Sequence, residues 1–484
     1  MINVIMAGFD IGTTNIKLAL FDEKVRMLWN RSARTPLLKM NNGDMLPAKR
    51  LFEVVVEIFS SIPEELRKDI VSIGISSLGE TVFPMGKDGP LFDGLIWYSR
   101  STLKEFNEFM KKVSEDEVFK VTALRPSWIF SLFKMIWFYK NFPELAGKIV
   151  TWLDVADYIT YMFTGSIGMD RCIASRSLFL DVTNGNWSKK ILDLSGIPSE
   201  HLPPLIESGV ERGFVKKDIA KELGLSRRVV VTTAGQDHIA AAFSSGAFKE
   251  KNILNSTGTT ECIVWGGDKA LLDVFLRRAI SSFNGGIHVF PDEYYLLEGI
   301  PTGGFAVEWF LKKILKENFD MLEDLDLRET SVVFFPFLRG RFEQEKINGA
   351  FFDLKDEHDR IDLLMAILES LAFETKKMVD DLKKIGLKNN YEIVAVGGGA
   401  RNSLLLQIKA NVLKVPVKVL RVHNATSLGA ALISGIASGI FDDWEDAFKK
   451  GFNISKVFYP QNVDYYPAKY ERYMTLFEKV FKKE

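Results

Sequence analysis

The chain has 484 residues, and its 62 basic and 63 acidic side chains give a formal net charge of −1. Domains usually have about 150 residues, so a chain of this length is predicted to contain more than one. The hydrophobic content of 47% allows large buried cores and is not that of a disordered chain. The balanced charge argues against nucleic acid or an anionic membrane as a partner, because both select an excess of Lys and Arg.

Cysteine usage and the start of the chain bear on where the protein works. Cys172 and Cys262 show no metal-ligand spacing, so we expect neither a disulfide framework nor a structural zinc site. The first six residues have no basic side chain before their apolar ones and do not resemble a secretory signal. No apolar stretch approaches the roughly 20 residues that cross a bilayer. We therefore predict a cytoplasmic protein, and the sequence leaves open whether it is a monomer or a homodimer.

The first predicted elements are two short strands, residues 4–9 and 18–21, joined by the turn Asp10-Ile-Gly-Thr-Thr-Asn-Ile-Lys17. Strand, short turn and strand predict a β-hairpin, and the absence of GxxxxGK[ST] excludes a Walker-type loop. Backbone N–H groups and hydroxyls at the tip suit phosphate oxygens. These are Gly12, Thr13 and Thr14. Asp10 is placed to hold a hydrated Mg²⁺ beside the phosphates, and Lys17 adds positive charge.

Helical periodicity and short apolar runs alternate along the chain. Apolar residues at i, i+3 and i+4 predict helices at 50–59, 128–139, 305–316, 361–382 and 403–413. Strands are predicted at 71–76, 229–233 and 391–396. Alternating strands and helices indicate layered α/β architecture.

The segment Val230-Val-Thr-Thr-Ala-Gly-Gln-Asp237-His238 places one carboxylate at the start of an Ala-rich helix. Asp237 has two interpretations, as the helix cap or as a catalytic base. His238 competes for the role of base. Since no Ser or Cys nucleophile motif lies nearby, His238 is interpreted as a substrate contact or a satisfied core group.

A second hairpin is predicted near the middle of the chain, with strands at 252–256 and 261–265 and the tip Thr257-Gly-Thr-Thr260. Gly258 and Thr259 would face phosphate there as Gly12 and Thr13 do in the first hairpin. Two hairpins with the same tip suggest a duplicated architecture. We predict two domains, 1–246 and 247–484, that meet near Ser244-Ser-Gly-Ala247.

The glycine-rich segment Tyr391-Glu-Ile-Val-Ala-Val-Gly-Gly-Gly-Ala-Arg-Asn402 leads from a strand into a helix. Bare backbone at Gly398 and Gly399, followed by Asn402 at the helix start, permits a nucleotide to lie flat against the chain. The GxGxxG pattern is not matched, which disfavours a Rossmann dinucleotide fold.

These segments, in this order, resemble the FGGY family of carbohydrate kinases, which includes glycerol, gluconate, xylulose and ribulose kinases. The resemblance covers nearly the whole chain. Further matching segments are Trp97-Tyr-Ser-Arg100, Asp157 to Gly165, Thr302-Gly-Gly-Phe-Ala-Val-Glu-Trp309, Phe335 to Gly340, Gly349-Ala-Phe-Phe352 and Ser427-Leu-Gly-Ala-Ala431. Each match is weak alone, and the ordered set is specific.

The resemblance implies an actin-like ATPase (ribonuclease H-like) α/β fold, with two domains that each contain a mixed sheet flanked by helices and a cleft between them. It implies that residues 1–246 bind sugar and residues 247–484 bind ATP. Asp237 would be the general base, Asp10 would position Mg²⁺, and Thr13 with Gly258 and Thr259 would hold phosphates. The nucleotide pocket would be lined by Gly304, Gly398, Gly399 and Asn402. Positioning and charge neutralisation dominate such phosphoryl transfers.

Departures from the family patterns concern the substrate. Gly79 stands where glycerol kinases carry an Arg that grips a polyol hydroxyl, and the Met-His of xylulose kinases is absent. Ser99 replaces a usual Asp, and Arg341 replaces a Glu. Glu80 and Trp97 remain predicted sugar contacts, but the substrate is not fixed.

The leading hypothesis is an ATP- and Mg²⁺-dependent kinase acting on a ketopentose of the xylulose or ribulose type. The alternatives are a kinase for glycerol, another polyol or an aldonate. A non-enzyme alternative is an actin-like ATP-driven switch, which would need no base at Asp237.

Overall fold

The computed structural model describes residues 4–249, 251–279, 282–341, 347–461 and 464–481. The chain divides into two compact units, each built from three separate segments. The first unit comprises Met1–Ser244, Gly266–Leu296 and Asn424–Phe452, and the second comprises Ser245–Trp265, Leu297–His423 and Asn453–Glu484. The predicted domains were assigned by ligand, with residues 1–246 binding sugar and residues 247–484 binding nucleotide. Both assignments stay predictions.

The first unit contains a five-stranded mixed sheet. In spatial order its strands are Val230–Gln236, Ile70–Ser77, Ile5–Ile11, Asn15–Asp22 and Met27–Arg34. The first three are parallel, and the last two follow as antiparallel neighbours. Every residue of Ile5–Ile11 is buried, as expected for a strand that is covered on both faces.

The predicted first hairpin is present, but its turn is shorter than expected. The strands continue to Ile11 and resume at Asn15, because the buried side chains of Ile11 and Ile16 pair across the hairpin. Asp10 and Lys17 are therefore opposite residues on neighbouring strands and not turn residues. The tip is reduced to residues 12–14.

A seven-stranded sheet repeats this topology. Its strands are, in spatial order, Asn284–Ile287, Tyr294–Ile300, Glu261–Gly267, Asn252–Thr257, Glu392–Val396, Val417–Leu420 and Ile454–Phe458. Asn252–Thr257 pairs antiparallel with its hairpin partner and parallel with Glu392–Val396, which is parallel to Val417–Leu420. A hairpin followed by two parallel strands occurs in both sheets, which agrees with the predicted duplication.

Helices flank the sheets. The α-helices are Ala48–Ser60, Glu64–Arg67, Leu103–Phe109, Glu115–Thr122, Ser131–Asn141, Pro143–Ala146, Val155–Thr164, Arg171–Ala174, Lys189–Ser195, Lys217–Glu222, Asp237–Ser245, Lys269–Arg278, Gly304–Trp309, Arg360–Lys384, Ser403–Leu413, Ala425–Ala437, Trp444–Gly451 and Tyr465–Phe481. The helix predicted at 305–316 begins as Gly304–Trp309 and continues as the π-helix Phe310–Leu315. Among the helices that the structure describes, none is both long and apolar enough to cross a bilayer.

Short strands complete the two units. They form the pairs Met45–Leu46 with Gly94–Leu95, Met169–Asp170 with Leu205–Ile206, Leu180–Asp181 with Asn186–Trp187 and Val333–Phe335 with Ala350–Phe352, and a three-stranded sheet of Gly89–Pro90, Val82–Gly86 and Thr151–Asp154.

The helix Ala425–Ala437 lies directly against the five-stranded sheet. A Cβ atom added at Gly8 would lie 1.9 Å from the Ser427 carbonyl oxygen, and one at Gly74 would lie 1.9 Å from that of Ala430. Only glycine permits such close approach of two backbones. This contact explains why a segment near the end of the chain belongs to the first unit.

Candidate active site

Asp237 lies where the strand Val230–Gln236 ends and the helix Asp237–Ser245 begins. The preceding Gly235 has a φ of +70°, and a Cβ there would lie 2.3 Å from Val289 Cγ1. Ser76 Oγ donates a 2.9 Å hydrogen bond to the Gly235 carbonyl. Steric fit and hydrogen bonding together fix the turn that presents Asp237.

The Asp237 carboxylate is engaged by its chain neighbours. Its Oδ1 accepts hydrogen bonds from the His238 backbone N–H at 2.7 Å and from Gln236 Nε2 at 2.5 Å. Burial raises the pKa of Asp237, His238 opposes this, and the charges of Asp10 and Glu80 raise it further. A raised pKa makes a carboxylate a stronger base. The His238 backbone N–H also contacts Gln236 Oε1, at 3.1 Å, and a substrate-contact role for His238 stays a prediction.

Asp10 and Lys17 form an ion pair beside this carboxylate. Lys17 Nζ donates to Asp10 Oδ2 at 2.9 Å, and Asp10 is buried. The negative charge of Asp10, and to a smaller extent that of Asp237, raises the pKa of Lys17. The three side chains therefore form one electrostatic group within the first unit.

Two predicted contacts of different kinds meet at the tip of the first hairpin. Trp97 Nε1 donates a 2.9 Å hydrogen bond to Thr13 Oγ1, which joins a predicted sugar contact to a predicted phosphate contact. The Trp97 ring packs edge-on against Tyr98, with centroids 5.2 Å apart. Thr14 is exposed at the tip, and its carbonyl accepts from the backbone N–H of Thr35.

Glu80 is buried and forms an ion pair with Arg176 Nε. A Cβ at Gly79 would lie 3.5 Å from Gln236 Cγ and 3.7 Å from Arg176 Cδ. Arg176, the partner of Glu80, and Gln236, the residue before Asp237, therefore both lie near Gly79. Arg176 was not predicted from the sequence, because its partner lies 96 residues away and no motif around Arg176 indicates that pairing.

In the second unit, the tip of the second hairpin is held by the segment that contains Gly303 and Gly304. Gly303 N–H donates to the Thr259 carbonyl at 2.9 Å, and Gly304 N–H donates to that of Gly258 at 2.8 Å. A Cβ at Gly304 would lie 2.7 Å from the Gly258 carbonyl oxygen. The predicted residues Gly258, Thr259 and Gly304 thus form one continuous backbone surface.

The glycine-rich segment packs on the same hairpin. Gly397 has a φ of +82°, and Cβ atoms at Gly397 and Gly399 would lie 2.7 Å and 2.5 Å from atoms of Thr257. At Gly398, by contrast, an added Cβ would meet no atom within 4 Å. Asn402 caps the helix Ser403–Leu413, with Oδ1 accepting from Leu405 N–H at 3.0 Å. The observed role of Asn402 is therefore that of a helix cap, and its contact with a nucleotide stays a prediction.

A wholly buried lysine lies beneath the second hairpin. Lys409 Nζ donates to Asn255 Oδ1 at 2.6 Å, to Thr257 Oγ1 at 2.8 Å and to Glu261 Oε1 at 2.5 Å. These bonds tie both hairpin strands to the helix Ser403–Leu413. The sequence analysis missed this cluster too, since Lys409 and Glu261 are 148 residues apart.

Asp10 is the carboxylate of this site that was predicted to hold a metal ion. Over the described ranges, no group of three or more His, Cys, Asp or Glu side chains is arranged to hold one. Asp10 offers a single carboxylate, which fits Mg²⁺, an ion that keeps several waters and binds through one or two carboxylates and substrate phosphates. Cys172 and Cys262 are free and buried.

Comparison with known families gives two matches that together span most of the chain. Residues 5–244 match the model of the N-terminal domain of the FGGY family of carbohydrate kinases, and residues 253–438 match that of its C-terminal domain.

Individual relatives carry several substrate names. A xylulose kinase from Staphylococcus epidermidis is 26% identical over 100% of this chain and 97% of its own length. An L-fuculokinase from Escherichia coli is 26% identical over 93% of this chain and 96% of its own.

Solved structures show the same fold. A xylulose-type kinase from Brucella ovis superposes with a TM-score of 0.88 at 22% identity, covering 98% of this chain and 99% of its own. A Plasmodium falciparum glycerol kinase with ADP gives 0.88 at 20% identity, covering 100% and 99%. The actin-like ATPase fold, with two domains of mixed sheets flanked by helices, is thereby established.

Proposed function

Because this chain belongs to the FGGY family of carbohydrate kinases, it phosphorylates a sugar hydroxyl with ATP, and we propose that the sugar is a ketopentose of the xylulose or ribulose type. The relatives that are named xylulose kinase support this choice. Family membership also sets aside the alternative of an ATP-driven switch without sugar chemistry. Since the reaction consumes ATP, we propose a cytoplasmic location.

Asp237 is proposed as the general base. It takes the proton of the sugar hydroxyl, and the resulting oxygen attacks the γ-phosphate of ATP in line. The observation that carries this assignment is a partly buried carboxylate at a strand end, with its pKa raised by burial and by the charges of Asp10 and Glu80. His238 contributes its backbone N–H to the orientation of the carboxylate.

The remaining predicted residues are proposed to bind phosphate and nucleotide. Thr13, Thr14 and Lys17 in the first hairpin offer hydroxyls, backbone N–H groups and charge to phosphate oxygens. In the second hairpin Thr259 offers its hydroxyl, and Gly258, whose N–H donates to the Thr260 carbonyl, allows close approach of a phosphate. The nucleotide is proposed to lie against Gly304, Gly398, Gly399 and Asn402. Asp10 would hold Mg²⁺, which supplies positive charge to the phosphates of ATP.

The charges near the proposed sugar position balance, which suits a neutral substrate. They are the carboxylates of Asp10, Glu80 and Asp237 and the cations of Lys17, Lys134 and Arg176. With all six ionised they provide no net positive charge that would attract an aldonate carboxylate. Glycerol and other polyols remain the second candidate, because they too are neutral.

The test is an ATP-coupled assay of ADP release across pentuloses, hexuloses, aldonates, glycerol and erythritol, ranked by kcat/KM. We expect a ketopentose to rank first, with aldonates and glycerol at least about tenfold lower, which corresponds to about 1.4 kcal/mol in transition-state binding. Chelation of divalent ions should abolish turnover, and Mg²⁺ should restore it. A preference for an aldonate or for glycerol would overturn the ketopentose proposal.

A further inference from the structure

Arg176 is the second charged side chain of the proposed sugar pocket. Its Nε donates to Glu80 Oε1, and both side chains are more than nine-tenths buried, with 8% and 7% of their surfaces exposed. Its Cδ lies 3.7 Å from the position that a Cβ on Gly79 would take, and Gln236 Cγ lies 3.5 Å from the same point. Arg176 and Gln236, the residue that precedes the proposed base Asp237, therefore both lie next to Gly79.

The hydrogen bonding of Arg176 differs from that of a structural arginine in the same unit. Arg212 is equally buried, and its three nitrogens contact Asp157 Oδ1 at 2.9 Å, the Gly168 carbonyl at 3.0 Å and Ser166 Oγ at 3.4 Å. Arg176 Nη1 is buried but has no hydrogen-bond partner within the described residues. Buried donors are normally paired. Arg176 is thus held by Glu80 and by an interaction with the buried Tyr295 side chain, and its hydrogen bonding is less complete than that of Arg212.

The backbone of Glu80 adopts a conformation that is uncommon for a residue with a side chain. Its φ is +62°, in the left-handed region, which is unfavourable for a residue with a side chain. Such conformations persist where the surroundings hold them in place, and they concentrate at functional sites. Arg176 holds the Glu80 carboxylate through an ion pair, and the charge of the buried Lys134 also interacts with it.

We propose that Arg176 is a positioning residue for the sugar, which fixes the Glu80 carboxylate so that Glu80 accepts hydrogen bonds from sugar hydroxyls. This inference rests on the proposed function, because it assigns Glu80 to sugar binding. Its consequence is selective: loss of Arg176 weakens sugar binding through Glu80 and leaves ATP binding in place.

A double-mutant cycle tests this coupling. Arg176→Gln, Glu80→Gln and the double variant are compared by KM for the preferred sugar, KM for ATP, and kcat. Each single change should raise the sugar KM by about tenfold or more. The sugar KM of the double variant should not exceed that of the single variant with the higher KM, because both changes remove the same interaction. KM for ATP should stay within about twofold in all three.

Two further variants separate positioning from folding. Arg176→Lys keeps the charge but not the geometry of the guanidinium, so it should rescue part of the sugar KM, and this rescue should vanish in the Glu80→Gln background. Arg212→Gln, the matched control, removes a buried ion pair and should lower the melting temperature while changing the sugar KM by less than about twofold.

Additive effects of the two single changes on the sugar KM, or an unchanged sugar KM in Arg176→Gln, would overturn the inference while the wild type stays an active kinase. If Arg176→Gln does not fold, the sugar KM of Arg176→Lys is compared in the wild-type and Glu80→Gln backgrounds. An Arg176→Lys effect of the same size in both backgrounds would overturn the inference. A wild type that phosphorylates no sugar in the panel would overturn the proposed function, and this inference with it.

Discussion

The Asp237 carboxylate is held in place by hydrogen bonds, and its pKa is raised. Its Oδ1 is fixed by Gln236 and by the His238 backbone, so the same bonds that start the helix also orient the carboxylate. The two interpretations given by the sequence, helix cap and base, are therefore compatible. The sequence predicted this residue from its place after a strand. It could not predict the raised pKa, because that shift depends on burial and on charges at Asp10 and Glu80.

The pH dependence of kcat/KM should report this environment. As the proposed base, Asp237 must be ionised, so activity should fall as the pH falls through its pKa. Because burial and neighbouring carboxylates raise that pKa, the acid limb should lie above the ordinary value near 3.9 for Asp. Glu80→Gln removes one of the charges that raise it, and the limb should move to lower pH.

The measurement is the shape of the kcat/KM profile from pH 4 to 8 at saturating Mg²⁺-ATP, and not its height, which sugar binding also affects. A limb that stays in place or moves to higher pH in Glu80→Gln would contradict the assignment of the charges around Asp237.

At the scale of elements, the local patterns were predictable and the long-range contacts were not. Strand, Gly-Thr-Thr and strand predicted both hairpins, because turn chemistry and apolar runs are local. The contact between the helix Ala425–Ala437 and the sheet depends on Gly8 and Gly74, which lie several hundred residues earlier in the chain. Each is one glycine within a strand, and nothing in the sequence near either residue indicates its partner.

Gly74→Ala should therefore destabilise the first unit. The added Cβ would lie 1.9 Å from the Ala430 carbonyl oxygen, so the helix must move away from the sheet, at a cost of about 3 kcal/mol or more. Gly147→Ala is the matched control, because its φ is −67° and the nearest atom to its added Cβ, the Glu144 carbonyl oxygen, is 3.9 Å away. Urea unfolding of both variants measures the difference, and equal stabilities would refute the close packing.

Lys409 anchors the second hairpin, which we propose binds the phosphates of ATP. Lys409→Met leaves Glu261 buried without its cation, which should cost about 3–5 kcal/mol of stability, and should raise KM for ATP because the hairpin strands lose their common anchor. Glu261→Gln in the same chain should recover part of the stability.

Lys469→Met is the control for that prediction. Lys469 forms a comparably buried pair with Glu369, so its loss should lower stability without changing KM for ATP beyond about twofold. The same rise in KM in both variants would show that general destabilisation, and not the hairpin anchor, weakens ATP binding.

At the scale of the whole molecule, the first unit is assembled from three stretches of chain. The predicted boundary near residue 246 followed from the repeated hairpins, which mark a duplicated topology. It gave no indication that Asn424–Phe452 belongs to the first unit, because an apolar, Ala-rich helix predicts burial but not the surface that it covers. Contacts between residues far apart in sequence set that part of the fold.

A fragment of residues 1–246 should therefore not fold as a stable unit. Without the helix Ala425–Ala437, the five-stranded sheet lacks the element that lies against Gly8 and Gly74, and its apolar face meets water. We expect aggregation, or binding of a hydrophobic dye with no cooperative thermal transition. A monomeric fragment that unfolds cooperatively would contradict this description of the unit.

The central claim is that Asp237 is the base in ATP-dependent sugar phosphorylation, and Asp237→Asn tests it most directly. The substitution preserves shape and removes the ability to accept the hydroxyl proton, so kcat should fall by about 10³-fold, within the range typical of general bases. Calorimetric dissociation constants for Mg²⁺-ATP and for the sugar should change by no more than a few-fold. A folded Asp237→Asn enzyme with near-wild-type kcat would contradict the account.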